Sequence, residues 1–216
     1  MTARFLWVAL AALSVTTAPA SAMVRIVTST TDLGSIASAV GGDQVEVSAI
    51  ARPNADPHRV EVLPSYMVRV SRADLYLKVG LGLDQWADGI IDGSHNSKLK
   101  IVDCSKGVAV LEKPTGKVDA SMGDIHPDGN PHYWLDPRNG AVVAQTIAAA
   151  LANVDPTHAD DYTARAAEFG KTAEAMAGKV AQSVTGLTSK SILTYHRSWV
   201  YMADAFGLEV VNTIEP

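Results

Sequence analysis

Cysteine is nearly absent from this chain of 216 residues, in which Cys104 is the only thiol. A single cysteine cannot form a disulfide within the chain, so a disulfide-stabilised fold is excluded. Beyond residue 22 there is also no apolar run long enough to span a bilayer. Dense basic clusters are lacking too: removing Arg4 from the 18 basic residues leaves 17 against 23 acidic ones, a net charge of −6. We therefore expect a soluble protein that does not bind nucleic acid.

The first 22 residues have the three parts of a cleavable secretory signal. Arg4 supplies the positive charge, residues 5–15 (FLWVALAALSV) form a short apolar run, and residues 20–22 (ASA) match a cleavage site. A buried N-terminal helix is the alternative interpretation. No cysteine follows the cleavage site, so nothing marks a lipid anchor. The sequence therefore predicts an exported protein without such an anchor.

Short apolar strands alternate with helical stretches from Val24 to about Val110. Segments such as VRIVTST and DLYLKVG are typical of strands, and TDLGSIASAVG and DQWADGIIDG are typical of helices. This alternation predicts an α/β fold of parallel βα units, in which ligands bind beyond the carboxyl ends of the strands. Residues 112–131 have no periodicity and predict a long loop that is functional or mobile.

The longest predicted helix begins at the Asp155-Pro156 pair, because aspartate caps a helix and proline suits its first turn. Its length of about 29 residues corresponds to a rod of roughly 43 Å, which favours a rigid connection between two lobes. A helix within one core is the alternative. Its apolar stripe recurs every three or four residues. The members of the stripe are Tyr162, Ala166, Phe169, Ala173, Met176, Val180 and Val184.

After Gly186 the strand–helix pattern resumes, but about 30 residues are too few to bury an independent core. We therefore expect that the second lobe is incomplete and that the sequence is a fragment. The domain organisation that we predict has four parts. They are a signal peptide (1–22), an N-terminal metal-binding lobe (23–153), a long linker helix (154–186) and the start of a truncated C-terminal lobe (187–216).

Six histidines are the residues most suggestive of chemistry. They are His58, His95, His126, His132, His158 and His196. Three of them, His58, His132 and His196, are each predicted at a strand end or in a loop of an αβ unit. Three imidazoles from separate loops can supply three of the four tetrahedral ligands of zinc. Because 74 and 64 residues separate them, only the fold can show whether they meet.

Sequence context separates the candidate ligands from other histidines of the chain. His95 and His158 are expected to be solvated surface residues. His58 and His132 each follow a proline, which restricts the backbone on either side. A restricted backbone loses less entropy when a ligand binds.

Several separated motifs resemble one known family, the metal-binding solute-binding proteins of zinc and manganese ABC importers. The motifs are DPHRVEVLPS, VGLGLDQW, GNPHYWLDP, TYHRSWVYMADAFGLEVV and the terminal IEP, and the resemblance extends over residues 24–216. It implies a two-lobed solute-binding-protein fold in which parallel βα units are joined by a long rigid helix. It also implies a periplasmic location, delivery of metal to ABC permease membrane subunits, a monomeric state and, as a further partner, a periplasmic zinc chaperone.

The resemblance implies the metal ligands as well. It matches the family's three histidine positions with His58, His132 and His196, and a histidine at the third position is typical of zinc-type members, whereas manganese-type members have a carboxylate there. Nitrogen-rich sites also suit zinc. Family members supply a fourth, carboxylate ligand from a part of the second lobe that this sequence does not contain, so the fourth position is expected to be water or absent. His126 resembles the accessory histidines of some zinc-type members.

Three functions remain open at this point. The first is a receptor that captures Zn²⁺ and delivers it to a permease, with a manganese receptor of the same family as a variant. The second is a zinc hydrolase, because three histidines and a water can generate hydroxide. The sequence contains neither HExxH nor GxSxG. The third is a surface interaction protein with incidental metal, and no feature of the sequence favours it. We therefore predict a zinc receptor that is not an enzyme.

Overall fold

The computed structural model describes residues 23–116 and 126–214. The predicted signal peptide lies outside these ranges, as do part of the predicted loop and the last two residues of the IEP motif. Within the described residues, no helix is both long enough and apolar enough to cross a bilayer.

Four parallel strands form the main sheet, in the order β2, β1, β3, β4. Their bounds are β1 Val24–Thr28, β2 Val45–Ala49, β3 Leu75–Lys78 and β4 Lys100–Asp103. The central strands are apolar on both faces: Ile26, Leu75 and Leu77 pack into one cluster, whereas Val27 and Tyr76 pack into another. Burial on both faces is typical of a parallel sheet that is covered by helices.

Helices connect these strands, as the alternating pattern predicts. They are α1 Thr31–Gly41, α2 Pro64–Val70 and α3 Trp86–Ser94. The hydroxyl of Thr30 caps the start of α1, and Pro64 occupies the first turn of α2, where a missing N–H costs nothing. The α/β fold class predicted from the sequence is therefore confirmed.

Two long helices follow the loop and cover one face of the sheet. They are α4 Pro137–Val154 and α5 Ala159–Thr185, with a 3₁₀ turn at Pro156–His158 between them. Both pack on α1 and on each other. The first half of α5 contributes Tyr162 and Ala166 to the main core, whereas Ala177 and Val184 pack with Phe206 in a smaller cluster. The helix therefore belongs to the main core at one end and reaches a second apolar cluster at the other.

The predicted apolar stripe of α5 is wrong at one residue, Met176. The side chain of Met176 is 49% exposed, and the adjacent Ala177 is buried in its place. The buried face of α5 is dominated by small residues such as Ala166 and Ala173. Small side chains permit a close approach of the neighbouring helix, so size decides which residue faces inward.

A second, two-stranded parallel sheet completes the described chain. It consists of β5 Ser191–Thr194 and β6 Glu209–Thr213, which are joined by α6 Val200–Phe206. Its strands are more exposed than those of the main sheet, and the side chain of Leu193 is 61% exposed. The division at 1–22, 23–153, 154–186 and 187–216 stays a prediction.

Candidate metal site

His58 lies in an irregular segment between β2 and α2, and two neighbours fix its orientation. Asp56 Oδ1 lies 2.9 Å from both the backbone nitrogen and Nδ1 of His58. The indole of Trp86 donates a 2.8 Å hydrogen bond to the carbonyl of Pro57. Burial alone would raise the pKa of Asp56, but hydrogen bonds from the backbone and ring of His58 lower it below its ordinary value. A carboxylate at Nδ1 holds the ring proton there and leaves Nε2 for a metal.

His132 lies just before the 3₁₀ turn Tyr133–Leu135, and its side chain is buried. Asn130 Oδ1 accepts from its backbone nitrogen at 3.0 Å and lies 2.9 Å from its Nδ1. Burial above all, and then the nearby histidines His58, His196 and His126 in that order, lower the pKa of His132 to about 3. The ring is therefore neutral at physiological pH, which is the form that binds metal.

His196 is the second residue after β5 and approaches His58 and His132 from the second sheet. The next residue, Arg197, forms an ion pair with Glu112, with its Nε 2.8 Å from Glu112 Oε1. Tyr201, in α6, donates a 2.8 Å hydrogen bond to the carbonyl of Asn130. These contacts connect the segment of His196 to the chain on both sides of residues 117–125.

The structure brings the three predicted ligands together. One ring nitrogen each of His58, His132 and His196 lies within 4.8 Å of the other two. The ring centroids are 5.1, 5.4 and 5.5 Å apart. Zn–N bonds of about 2.0 Å in tetrahedral geometry place ligand nitrogens roughly 3.3 Å apart. A contraction of at most about 1.5 Å would therefore give the nitrogen separations of three zinc ligands.

The remaining histidines lie in three different settings. His126 Nε2 lies 3.2 Å from His58 Nε2, so this residue borders the site without joining the cluster of three. His95 is exposed and ends α3 in a left-handed conformation, as expected of a surface residue. The prediction that His158 is solvated is wrong. It is half-buried, and its Nδ1 lies 2.6 Å from Asp155 Oδ2, because both residues belong to the turn that opens α5.

Two positioning groups were missed in the sequence, although a signal for them is present. In Asp56-Pro57-His58 and in Asn130-Pro131-His132, a side-chain oxygen two residues before the histidine contacts both its backbone nitrogen and Nδ1. The intervening proline fixes φ, which favours this local Asx turn. The repeated Asx-Pro-His pattern could have predicted that Nε2 of each ring is left for a ligand.

A cavity of about 550 Å³ opens beside the histidines. The other residues that line it include Trp134, Tyr195 and Trp199. The ring centroids of Trp134 and His132 lie 5.3 Å apart. Tyr133 is buried in the core, where its hydroxyl donates a 2.9 Å hydrogen bond to the carbonyl of Val79. Three imidazoles in such a cavity can hold a soft or borderline divalent cation and leave a fourth position open.

Comparisons with known proteins agree with this geometry. A family model described as zinc-uptake complex component A, periplasmic (ZnuA), matches residues 26–216. The crystal structure of a ZnuA deletion mutant with zinc bound superposes with a TM-score of 0.78 at 30% identity, over 88% of this chain and 69% of that one. The manganese-binding lipoprotein MntA of Halalkalibacterium halodurans is 27% identical over 194 residues, which are 89% of this chain and 61% of the relative.

The iron-binding protein YfeA of Yersinia pestis is a further relative, 25% identical over 189 residues, which are 87% of this chain and 58% of YfeA. The chain thus spans about three fifths of the length of these curated relatives. The resemblance seen in the motifs and the ZnuA-type solute-binding fold are both confirmed. The family consists of substrate-binding proteins of ABC importers and not of enzymes. We conclude that this chain belongs to the ZnuA family, whose model matches residues 26–216.

Proposed function

We propose that this protein captures Zn²⁺ in the periplasm and delivers it to the permease of an ABC importer. The observation that carries the proposal is the cluster of His58, His132 and His196, with one nitrogen of each within 4.8 Å of the others. The Nδ1 contacts of His58 and His132 support it, because they leave Nε2 of both rings for the ion. Family membership supports the importer, and a zinc chaperone and a monomeric state stay predictions.

Zinc rather than manganese is the finer part of the proposal. Relatives include proteins named for manganese and for iron, as well as a ZnuA structure with zinc bound, so the family alone leaves the metal open. The donor set favours zinc, because imidazole nitrogens suit Zn²⁺ whereas Mn²⁺ prefers oxygen ligands. The resemblance adds support, because it matches His196 with a position at which zinc-type members carry histidine and manganese-type members tend to carry a carboxylate.

A competition titration of the metal-free protein with zinc and manganese tests this function. The wild-type protein should bind zinc more tightly than manganese. His58→Ala should weaken zinc binding by more than about 100-fold, because loss of an outer-shell partner alone costs about 10–100-fold. The matched control is His95→Asn, which changes an exposed histidine in a left-handed conformation that asparagine tolerates, and it should bind zinc like the wild type.

Selectivity is tested by His196→Glu in the same titration. A carboxylate oxygen in place of the imidazole should shift the zinc-to-manganese affinity ratio toward manganese. Tighter manganese than zinc binding by the wild type would contradict the metal assignment. Undiminished zinc binding by His58→Ala would contradict the assignment of the site.

A further inference from the structure

Asn130 contacts the two segments that carry His132 and His196, and its side chain is itself buried. We propose that Asn130 is the positioning residue of the metal site, which sets the ring orientation of His132 and the location of the His196 segment together. The inference rests on the proposed function, because it names a residue that acts through two of the proposed ligands.

Three contacts determine which way the Asn130 amide points. Its Oδ1 accepts from the backbone N–H of His132 at 3.0 Å, and a backbone N–H can only donate. Its Nδ2 lies 2.8 Å from the carbonyl of Arg197 and 3.1 Å from Glu112 Oε2, both of which accept. If the amide were flipped, its NH₂ group would face the N–H of His132, which is also a donor. Its oxygen would face the Arg197 carbonyl and the Glu112 carboxylate, which are also acceptors. The orientation of the amide is therefore determined by its surroundings.

The orientation of the amide determines the tautomer of His132. Because Asn130 Oδ1 is an acceptor, His132 Nδ1 at 2.9 Å must carry the proton. The lone pair of the neutral ring is then on Nε2. At His58, the carboxylate of Asp56 makes the corresponding contact with Nδ1. A ring whose second nitrogen is held in this way presents its metal-binding atom in one orientation.

The same side chain holds the segment of His196. The donor bond to Arg197 is made to the backbone carbonyl of the residue that follows His196. Glu112 accepts from Asn130 Nδ2 and also pairs with the guanidinium of Arg197, so the three side chains form one connected network. The backbone of Asn130 adds two contacts, since its nitrogen donates to Leu111 at 2.9 Å and its carbonyl accepts from Tyr201 at 2.8 Å.

Apolar burial is small on the strand side of His196. Leu193 and Tyr195, which precede it, are 61% and 64% exposed. After His196, Tyr201 packs into the main core, and the polar network around Asn130 is the second anchor that fixes the distance between this segment and His132. Removal of the side chain should leave the fold of the main sheet intact, because its partners Glu112, His132 and Arg197 all lie outside the four strands of that sheet.

The test compares Asn130→Ala with Asn139→Ala in the full chain. Asn139 is a matched control, because it is a half-buried asparagine whose amide donates a 2.9 Å bond to the carbonyl of Tyr133 without contacting a histidine. Zinc affinity should fall by about 10–100-fold in Asn130→Ala and change by less than about twofold in Asn139→Ala. Cobalt absorption spectra should show altered ligand geometry only in Asn130→Ala.

A second readout needs no metal and separates this inference from the proposed function. ¹⁵N NMR of the metal-free wild type should show the Nδ1-H tautomer for His132, and Asn130→Ala should show a mixture of tautomers. An Nε2-H tautomer in the wild type would overturn the inference even if zinc binds tightly. Equal zinc affinity in Asn130→Ala and the wild type would also overturn it. If the wild type binds no zinc, the proposed function fails, while the tautomer still decides the role of Asn130.

Discussion

At the scale of single residues, the Asx-Pro-His pattern occurs twice and supplies two of the three proposed ligands. Each copy combines a fixed proline φ with a side-chain oxygen that contacts the following histidine at its backbone and its ring. The residue types of this pattern can be identified in the sequence. The contact of Trp86 with Pro57 cannot, because it joins positions 29 residues apart through a single backbone carbonyl.

The low pKa of His132 predicts how the stability of the metal-free protein depends on pH. Between about 6.5, the ordinary histidine value, and about 3, the unfolded chain binds a proton at this residue that the folded chain does not. Acidification therefore favours unfolding, and the contribution of His132 to stability is complete above pH 6.5 and decreases as the pH falls toward 3.

The magnitude follows from the same linkage. From pH 7 to pH 5, His132 alone should lower the free energy of unfolding by about 2 kcal/mol. Urea unfolding at both pH values measures this loss, and His132→Gln separates it from the contributions of other groups. The wild type should lose about 2 kcal/mol more than the variant. Equal losses in the two proteins would show that the folded state does not exclude the proton from His132.

At the scale of elements, the VGLGLDQW motif connects β3 to α3 and organises the carboxyl end of the sheet. Asp84 is buried and accepts from the backbone nitrogens of Val79 at 2.7 Å and Gly80 at 3.1 Å, and from the hydroxyl of Ser29 after β1. Three consecutive residues of this turn, from Gly80 to Gly82, have positive φ. The turn therefore joins two strand ends and leads directly to Trp86, which holds the loop of His58.

Gly80→Ala should destabilise the protein. Gly80 has a φ of +83°, and a Cβ there would lie 2.2 Å from Asp103 Oδ1. Strain at such a position together with overpacking should cost about 2 kcal/mol or more in the free energy of unfolding. The control is Gly178→Ala in α5, where the new Cβ has no neighbour within 4 Å beyond the local backbone of its own helix and a gain of about 0.5–1 kcal/mol is expected. Urea unfolding measures the free energy of unfolding of both variants. A value for Gly80→Ala equal to that of the wild type would contradict the predicted strain.

Most elements are predictable from local patterns. The segment TDLGSIASAVG corresponds residue for residue to α1, and the predicted helix after Asp155-Pro156 corresponds to a 3₁₀ turn followed by 27 residues of α5. Met176 could not be placed correctly from apolar spacing, because the choice between it and Ala177 depends on the distance between α5 and Phe206 of α6. That distance is a tertiary property.

At the scale of the whole molecule, the candidate site is assembled from both sheets. His58 follows β2 in the main sheet, whereas His196 follows β5 in the second. A parallel fold predicts that loops at the carboxyl ends of strands form a binding site. The contacts that join the two parts could not be predicted, because Arg197 lies 67 residues from Asn130 and 85 from Glu112. Only the folded chain brings these polar groups into one network.

Zinc K-edge X-ray absorption of the protein loaded with one equivalent of zinc tests the central claim most directly. The claim is that His58, His132 and His196 bind the ion together. The spectrum should show at least three imidazole nitrogens at about 2.0–2.1 Å from the metal, with any fourth ligand contributing a further light atom. A spectrum with fewer than three imidazoles, or one that matches hydrated zinc, would contradict the account.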